Sequence, residues 1–268
     1  MMLATIAIAA GVFALLLLLV WWGQEKLVYF PQGPPYPDAG EVRRLDYTAA
    51  DGQPLLAYVI GNPASDRGVL LCFHGNADLA VYQIDWARTL HRRTGYAVVL
   101  AEYRGYMGLG GKPTYEGLRL DSEAAYDAVR RALGAESSRI AMFGHSLGSA
   151  VAAELAVMHE PRALLLQAPF TSAREMAPRV ITPPLALAFG LISRVHYDTR
   201  AAVAAVGAPV WVVHGTRDGV IAVEMGRAVF AAARNKGELL IIDEAEHSDL
   251  AGLGGAAYWN WIERALEK

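Results

Sequence analysis

Cysteine occurs once in the 268 residues, at position 72. A single thiol excludes an intrachain disulfide and every zinc site built from several cysteines. Cys72 lies in the apolar run GVLLCFH (68–74), which favours simple packing of this side chain in a core. The sequence also lacks the H-E-x-x-H and C-x-x-C patterns. We therefore expect no bound metal and no other cofactor.

Charged residues are also few and nearly balanced. They make up 19% of the chain and leave a net charge of −3, which provides no basic surface for a nucleic acid. The glycine-rich loop YRGYMGLGGKPTYEG (103–117) does not match the phosphate-binding pattern G-x-x-x-x-G-K-[ST], because Tyr106 and Pro113 break it. We interpret this segment as a rim loop beside a site at the carboxyl ends of the strands.

The first 22 residues, MMLATIAIAAGVFALLLLLVWW, contain no charged side chain. A helix of this length spans a bilayer, and the pair Trp21 and Trp22 suits the membrane interface. We therefore predict a single-pass membrane anchor over residues 1–24, a proline-rich connector over 25–40 and membrane localisation.

A cleaved signal peptide is the alternative interpretation of this segment. It is less favoured because the basic n-region is missing and two tryptophans follow the leucine run, where a small-x-small cleavage site belongs. The nearest basic residue, Lys26, has Glu25 beside it. The positive-inside rule therefore leaves open which side of the membrane the rest of the chain occupies.

From residue 41 onward, strand and helix patterns alternate. A β-hairpin is predicted first, with EVRRLDYTA and PLLAYVIG flanking an Asp-Gly turn. Nearly continuous apolar runs, which indicate strands buried on both faces, follow at 68–73, 96–103, 139–144, 162–168, 209–215 and 238–243. Helical patterns lie between them, for example at 80–95, 118–134 and 222–237. We predict one α/β domain over 41–268, with a mostly parallel sheet and helices on both faces.

The segment FGHSLGSA places Ser146 between Gly144 and Gly148, where a predicted strand becomes a helix. In a strand–turn–helix of the G-x-S-x-G type, the serine occupies a strained turn, which requires that the residues two before and two after it have no bulk. The turn lifts the hydroxyl above the carboxyl edge of the sheet and places a helix N-terminus beneath it. This pattern predicts a nucleophilic serine.

A serine hydroxyl needs a base to accept its proton and a carboxylate to orient that base. In sheets of this type the acid and the base follow the serine in that order, each on a loop after a later strand. Asp218 follows the strand at 209–215, and His247 follows the strand at 238–243. We therefore predict Ser146, Asp218 and His247 as a catalytic triad.

Other residues compete for both roles. Asp243 and Asp249 are close to His247 in sequence but lie on its own loop, which suits the contact less well than a separate loop does. The other histidines lie near helix ends, beside the serine, before glycines at strand ends or ahead of the acid: His91, His159, His145, His74, His214 and His196.

Acyl transfer also requires N–H donors that stabilise the developing oxyanion. One donor is the backbone N–H after the nucleophile, which belongs to Leu147. The second comes from the loop after the first buried strand, FHGNADLA. Asn76 is the leading candidate in this loop, and Ala77 is the alternative.

Taken together, the segments FHGNAD, AEYRGYMGLGGKP, GHSLGSA, HGTRDGVI and EAEHSDL resemble the α/β-hydrolase family of serine hydrolases over residues 41–268. With its N-terminal anchor, the chain resembles the membrane-anchored branch that includes protein depalmitoylases and lysophospholipid lipases. The resemblance implies the α/β-hydrolase fold, the triad roles above and an oxyanion hole at Asn76 and Leu147. The segment 170–197, where the family inserts its cap, is short and predicts a small cap.

The predicted function is hydrolysis of a small-molecule carboxylic ester or thioester through an acyl-enzyme. An amidase or peptidase using the same triad is the alternative, and a non-catalytic interaction protein that kept the fold is a third reading. The apolar segment TPPLALAFGLI (182–192) is predicted to line a groove for an acyl chain, with packing of a helix onto the sheet as the plain alternative.

Overall fold

The computed structural model of the chain describes residues 2–131 and 134–267. The outer ends of the predicted anchor and of the predicted catalytic domain, Met1 and Lys268, lie outside the described residues, as does part of one predicted helix at 132–133.

Within the described residues, the strands form one eight-stranded sheet. They are β1 (Arg43–Thr48), β2 (Pro54–Ile60), β3 (Val69–Phe73), β4 (Ala97–Ala101), β5 (Ile140–His145), β6 (Leu164–Gln167), β7 (Val210–Gly215) and β8 (Lys236–Ile242). Their spatial order is β1-β2-β4-β3-β5-β6-β7-β8. Only β2 runs antiparallel to its neighbours, and the other pairs are parallel. The predicted hairpin and the predicted, mostly parallel sheet are both confirmed.

The described residues also form nine α-helices. They are α1 (Met2–Val28), α2 (Ile84–Thr94), α3 (Tyr115–Arg131), α4 (Leu147–Met158), α5 (Ala173–Val180), α6 (Pro183–Ile192), α7 (Thr199–Ala205), α8 (Val223–Ala232) and α9 (Leu250–Glu267). Helices α2 and α9 form one layer on the sheet, while α3, α4, α7 and α8 form the other. The segment between β6 and α7 contains only the short helices α5 and α6, in agreement with a small cap.

Burial in the sheet follows from these two helical layers. Every residue of β3, β4, β6 and β7 is buried, whereas the edge strand β1 has no buried residue. A parallel strand covered by helices on both faces must be apolar along its whole length, which explains the continuous apolar runs in the sequence.

Helix α1 has two parts with different environments. Its residues from 2 to 15 whose burial is described are exposed, whereas Val20 and Gln24 are buried against the rest of the chain. The helix continues to Val28, four residues past the predicted end of the anchor at 24. By length and composition α1 can cross a membrane, with a mean hydropathy of 2.8 over its most apolar window.

Candidate active site

Ser146 lies at the sharp turn between β5 and α4, at the carboxyl edge of the sheet. Its backbone has φ 54° and ψ −116°, a conformation that costs a non-glycine residue about 1–3 kcal/mol. Three hydrogen bonds hold the turn: the Ser146 N–H donates to Gln167 O at 2.9 Å, and the N–H and the hydroxyl of Ser149 donate to Ser146 O at 2.9 and 2.6 Å. The strained backbone at the serine, which the sequence pattern predicts, is present.

The flanking glycines are required for two different reasons. A Cβ atom on Gly144 would overlap the backbone of Gly148 and Ser149, which is the close approach expected across the turn. A Cβ atom on Gly148 would instead overlap the carbonyl oxygens of Phe73 and His74 at the end of β3. The second glycine therefore lets the start of α4 pack against the neighbouring strand.

Asp218 and His247 come together on the loops after β7 and β8. His247 Nδ1 donates to Asp218 Oδ2 at 2.8 Å, while the N–H groups of Val220 and Ile221 donate to Asp218 Oδ1 at 2.9 and 2.8 Å. With its proton on Nδ1, the neutral imidazole of His247 has an unprotonated Nε2 that is able to accept a proton.

The Asp218 carboxylate is held in its charged form. Its side chain is fully buried. Burial disfavours the charge, but the hydrogen bonds from His214, His247 and the Ile221 N–H outweigh it, and the pKa of Asp218 lies below its ordinary value. An acid that stays ionised is suited to orienting a histidine and stabilising its cation.

The competing acids have other partners. Asp243 accepts a hydrogen bond from the Thr216 hydroxyl at 2.9 Å, and Asp249 accepts one from the Glu246 N–H at 2.7 Å. In the part of the chain that the structure describes, Asp218 is the carboxylate in contact with His247.

His214 is a neighbour of the acid that the sequence reasoning missed. Its ring is fully buried, and its Nε2 lies 2.8 Å from Ile221 O and 3.2 Å from Asp218 Oδ2. Both partners are acceptors, so Nε2 carries a proton and ties the Asp218 turn to β7. In the sequence, His214 stands out only as a histidine before a glycine at a strand end. Its contact with Asp218 depends on how the loop after β7 folds back over the strand, which no local pattern predicts.

His145 supports the loop that carries His247. Burial and the nearby His247 lower the pKa of His145 to about 3, so its ring is neutral. His145 Nε2 lies 3.2 Å from the carbonyl oxygen of His247, and the two ring centroids are 5.0 Å apart. The residue before the serine thus holds the backbone of the predicted base.

The loop after β3 contains the predicted oxyanion donor. A buried ion pair between His74 and Glu102 fixes the start of this loop. His74 Nε2 lies 2.7 Å from Glu102 Oε1, and its Nδ1 lies 2.8 Å from Gly75 O. Burial opposes a charge on the ring, but Glu102 outweighs it and raises the pKa of His74 above its ordinary value. Because both ring nitrogens face acceptors, each of them carries a proton. The doubly protonated His74 therefore fixes the start of the loop.

The Asn76 side chain connects this loop to the segment that follows α1. Its Nδ2 donates to Val28 O at 2.5 Å, while its Oδ1 accepts from the Phe30 N–H and from the Tyr106 hydroxyl, both at 2.8 Å. Among the described residues, no acceptor is bonded to the backbone N–H of Asn76. Ala77, the alternative donor, has its N–H directed at Asn76 Oδ1 at 3.1 Å.

An apolar cavity of about 410 Å³ lies beside Ser146, Leu147 and His247. We refer to it below as the apolar cavity. Much of its wall is formed by the side chains of Phe170, Met176, Ala177, Ile181, Phe189 and Ile221. Leu27, Val28 and Phe30 complete it from the end of α1. Among the described residues that line it, none is acidic or carries a formal charge at neutral pH unless His247 is protonated.

The segment 182–192 contributes to this cavity with one face only. Phe189 is buried and lines the cavity, whereas Leu187 is 59% exposed and is not part of the wall. Phe189 therefore lies where the groove expectation needs an apolar wall, whereas α6 packs mainly against α1 and α5 and not onto the sheet as the alternative has it.

A second cavity of the same volume lies on the other side of His247, and we call it the polar cavity. It shares Asn76, Ala77 and His247 with the apolar cavity. Besides the shared Asn76 and His247, its polar side chains include Asp78, Gln83, His74, His145, Gln167, Ser248 and Tyr258. Among the described residues, no group of three or more His, Cys, Asp and Glu side chains is placed to hold a metal ion, in either cavity or elsewhere.

Comparison with known proteins places this geometry in a family. Residues 64–203, about half of the chain, match the family described as serine aminopeptidase, S33. An uncharacterized protein of Mycobacterium tuberculosis is 34% identical over 98% of this chain and 94% of its own length. The alpha/beta hydrolase domain-containing protein WAV2 of Arabidopsis thaliana is 31% identical over 91% of this chain and 88% of its own length.

Solved structures agree with the fold. An esterase of Pyrococcus furiosus superposes with a TM-score of 0.72, covering 90% of this chain and 97% of its own, at 16% sequence identity. At that identity the likeness concerns the fold, whereas the sequence relatives carry the family assignment. The chain belongs to the α/β-hydrolase family.

Proposed function

We propose that this protein is a serine hydrolase that cleaves carboxylic esters or thioesters with an apolar acyl group. The proposal rests above all on the 2.8 Å hydrogen bond between His247 Nδ1 and Asp218 Oδ2, made at the cavity that Ser146 also lines. This bond leaves His247 Nε2 able to act as a base in the cavity that the strained Ser146 also lines.

In the proposed reaction, the Ser146 hydroxyl oxygen attacks the acyl carbon while His247 Nε2 accepts its proton. The backbone N–H groups of Leu147 and Asn76 stabilise the oxyanion of the tetrahedral intermediate. His247 then gives its proton to the leaving alcohol or thiol, which departs from an acyl-Ser146 ester. A water molecule, deprotonated by His247, hydrolyses that ester and restores the serine.

The acyl group is assigned to the apolar cavity because of the wall chemistry. Burial of methylene groups there is favourable by up to about 0.8 kcal/mol each. A peptidase that removes N-terminal residues needs an anionic group to bind the substrate ammonium, and the described wall of this cavity has no carboxylate. The wall therefore favours an acyl ester or thioester over the peptide substrate that the family description names.

We also propose that α1 remains attached as a membrane anchor. Its last third packs on the catalytic domain, where Val20 and Gln24 are 1% and 0% exposed. Cleavage of a signal peptide near residue 22 would remove Val20 from the packed structure and leave its site on α6 uncovered. The intact mass of the protein purified from membranes tests this: retention of residues 1–28 is expected, and a mature N-terminus beyond residue 20 would contradict an anchor.

A fluorophosphonate probe, which reacts with activated serines, tests the hydrolase. The full chain in detergent should be labelled, and peptide mapping should place the label on Ser146. Ser122, buried on α3 and outside the walls of both cavities, provides the matched control, since Ser122→Ala should keep the label and Ser146→Ala should lose it. A folded wild-type chain that takes up no probe would contradict the proposal. Turnover of an acyl ester, an acyl thioester and a peptide by the same preparation then ranks the substrate classes.

A further inference from the structure

Helix α6 is the element against which the membrane helix α1 packs. The contact face of α1 consists of Leu17, Val20 and Gln24, which recur every three to four residues and are partly or fully buried. The buried face therefore covers about two helical turns, from Gln24, just past the apolar stretch, back to Leu17 within it.

Polar contacts fasten the end of α6 to α1. Gln24 Oε1 accepts from the Arg194 N–H at 2.5 Å and from the Ser193 hydroxyl at 3.2 Å. The Arg194 guanidinium pairs with Glu25 at 2.7 Å and stacks on Trp21 at 4.7 Å from the ring centroid. These contacts hold α6 at the level of the tryptophan pair that marks the membrane interface.

The length of α1 then determines where α6 lies. The uncharged residues from 2 to 22 form a helix about 32 Å long, close to the roughly 30 Å hydrocarbon thickness of a bilayer. If this stretch spans the membrane, the segment from Leu17 to Trp22 lies within the outer part of one leaflet. Because α6 packs beside that segment, α6 cannot remain in water outside the headgroups.

The outer face of α6 suits such a position. Helix α6 has the sequence PPLALAFGLI and contains no charged or hydrogen-bonding side chain. Leu187 and Leu191, one turn apart, are 59% and 60% exposed, and Val180 at the end of α5 is 56% exposed. We call these three residues the α6 strip.

The α6 strip also adjoins the entrance to the active site. Val180 belongs to the strip and also lines the apolar cavity, together with Leu27 and Val28 of α1. An acyl chain located in the leaflet therefore has a continuous apolar route to Ser146.

We propose that α6 is a second membrane contact, which enters the same leaflet as the last turns of α1 and admits the acyl chains of membrane-resident substrates to Ser146 directly from that leaflet. This inference rests on the proposed function, because it assumes an anchored α1 and an acyl substrate. It adds that the substrate is a lipid or another acyl donor held in the bilayer.

Site-directed fluorescence tests the contact. Cys72 is buried and 4% exposed, so a cysteine introduced at Leu187 or Leu191 can be labelled with an environment-sensitive NBD dye. The matched control is Leu253→Cys, because Leu253 is 56% exposed on α9, which packs on α2 and the β7–β8 edge. The full chain is reconstituted into phosphatidylcholine vesicles with and without spin-labelled lipid, and the unmutated chain gives the background.

We expect a blue-shifted emission that spin-labelled lipid quenches at positions 187 and 191, and neither effect at 253. Emission at 187 and 191 that matches the control would overturn the proposal. A blue shift without quenching by lipid would also overturn it, because a second protein surface would then cover the strip.

Charge substitutions test the entry of substrate. The double variant Leu187→Glu, Leu191→Glu should hydrolyse an acyl ester embedded in vesicles at least fivefold more slowly than wild type, with unchanged hydrolysis of a water-soluble short ester. Leu253→Glu should alter neither rate. Equal losses on both substrates, or no loss on the embedded one, would overturn lipid-side entry.

The two proposals fail in different ways. A quenched label at 187 in a chain that hydrolyses neither ester would leave the membrane contact standing and remove the hydrolase. Normal hydrolysis of the soluble ester by a chain whose label at 187 is exposed to solvent would leave the hydrolase standing and remove the membrane contact.

Discussion

The apolar and polar cavities have equal volumes of about 410 Å³ and meet at Asn76, Ala77 and His247, yet their walls differ. The apolar cavity is built from the cap and the end of α1 and includes Ser146, whereas the polar cavity lies over the ends of the central strands and does not include the serine. Size therefore does not decide which cavity accepts an acyl group. The proposed acyl site is distinguished by the presence of Ser146, the proposed nucleophile, and by the chemistry of the wall.

The walls also differ in what holds them in place. Around the polar cavity, hydrogen bonds fix the side chains, as in the contact of the Tyr258 hydroxyl with Gln167 at 2.7 Å and of Gln83 with Asp78 at 2.6 Å. Apolar packing by short cap helices forms most of the other wall. We expect substitutions in the apolar wall to alter substrate preference, and substitutions that reach the shared residues to alter the rate for all substrates.

The largest effect is expected for Ser146→Ala, because Ser146 is the proposed nucleophile of the apolar cavity. Its kcat should fall by about a millionfold, while the melting temperature stays near that of wild type because alanine fits the tight turn. Steady-state kinetics on a short ester and a thermal scan provide the two readouts. Turnover close to wild type would mean that the apolar cavity does not contain the nucleophile.

The next largest effect is expected for Asp218→Asn. The amide would favour the wrong tautomer of His247 and could not stabilise the imidazolium, so kcat should fall by about ten-thousandfold or somewhat less. Asp243→Asn is the matched control, since Asp243 contacts Thr216 and should affect kcat little. If Asp243→Asn were the damaging change, the acid would have been assigned to the wrong carboxylate.

Acyl chain length tests the apolar wall directly. For monomeric esters below their micelle threshold, kcat/KM should rise from acetyl upward by up to about fourfold per methylene, which corresponds to about 0.8 kcal/mol, until the cavity is full. Phe189→Asp should remove this rise while acetyl ester hydrolysis persists.

Two substitutions outside the apolar wall are the controls for chain length. Leu187→Asp changes the exposed face of α6, and Gln83→Ala changes the polar cavity, so both should preserve the rise. A wild-type preference for acetyl over octanoyl esters would reject the assignment of the acyl group to the apolar cavity.

The pH profile tests His247, one of the three residues that both cavities share. His247 must be neutral to accept the serine proton, so kcat/KM should fall about tenfold per pH unit once His247 is protonated and level off above that range. Asp218 keeps its charge because its pKa lies below the ordinary value, and His145, with a pKa of about 3, stays neutral. Neither group therefore adds an ionisation to the acid side of the profile, and a kcat/KM that stays constant on acidification for as long as the protein remains folded would count against His247 as the base.

The smallest effect is expected for Asn76→Ala. The backbone N–H remains, but the four hydrogen bonds of the side chain, with Val28, Phe30, Tyr106 and Ala77, are lost. We expect kcat to fall by about tenfold or less and KM to change little, because the loop would be less well held in the transition state. Asn62→Ala, in the loop after β2, is a control on a residue remote from both cavities. An unchanged kcat in Asn76→Ala would show that this link does not position the loop.

Local sequence patterns determined much of the fold and the candidate chemistry. Continuous apolar runs identified the buried strands, because a strand between two helical layers has no polar face. The G-x-S-x-G pattern located the turn at Ser146, since the strained turn requires glycines at both flanking positions within five residues. Asp218 and His247 each follow a predicted strand. Because the carboxyl ends of parallel strands lie at one edge of a sheet, the sequence also indicated that both residues lie at the edge that carries Ser146.

Only the tertiary structure decided which distant residues surround this chemistry. The contact of His214 with Asp218, the link from Asn76 to Val28 and the contribution of α1 to the apolar cavity join segments whose contacts no sequence periodicity describes. The same limit applies to α6, whose apolar sequence is compatible with core, cavity wall or lipid contact. A hydrophobic pattern specifies which side chains avoid water, but the packing of elements determines what each side chain faces, and this is why Phe189 lines the cavity while Leu187 points away from it.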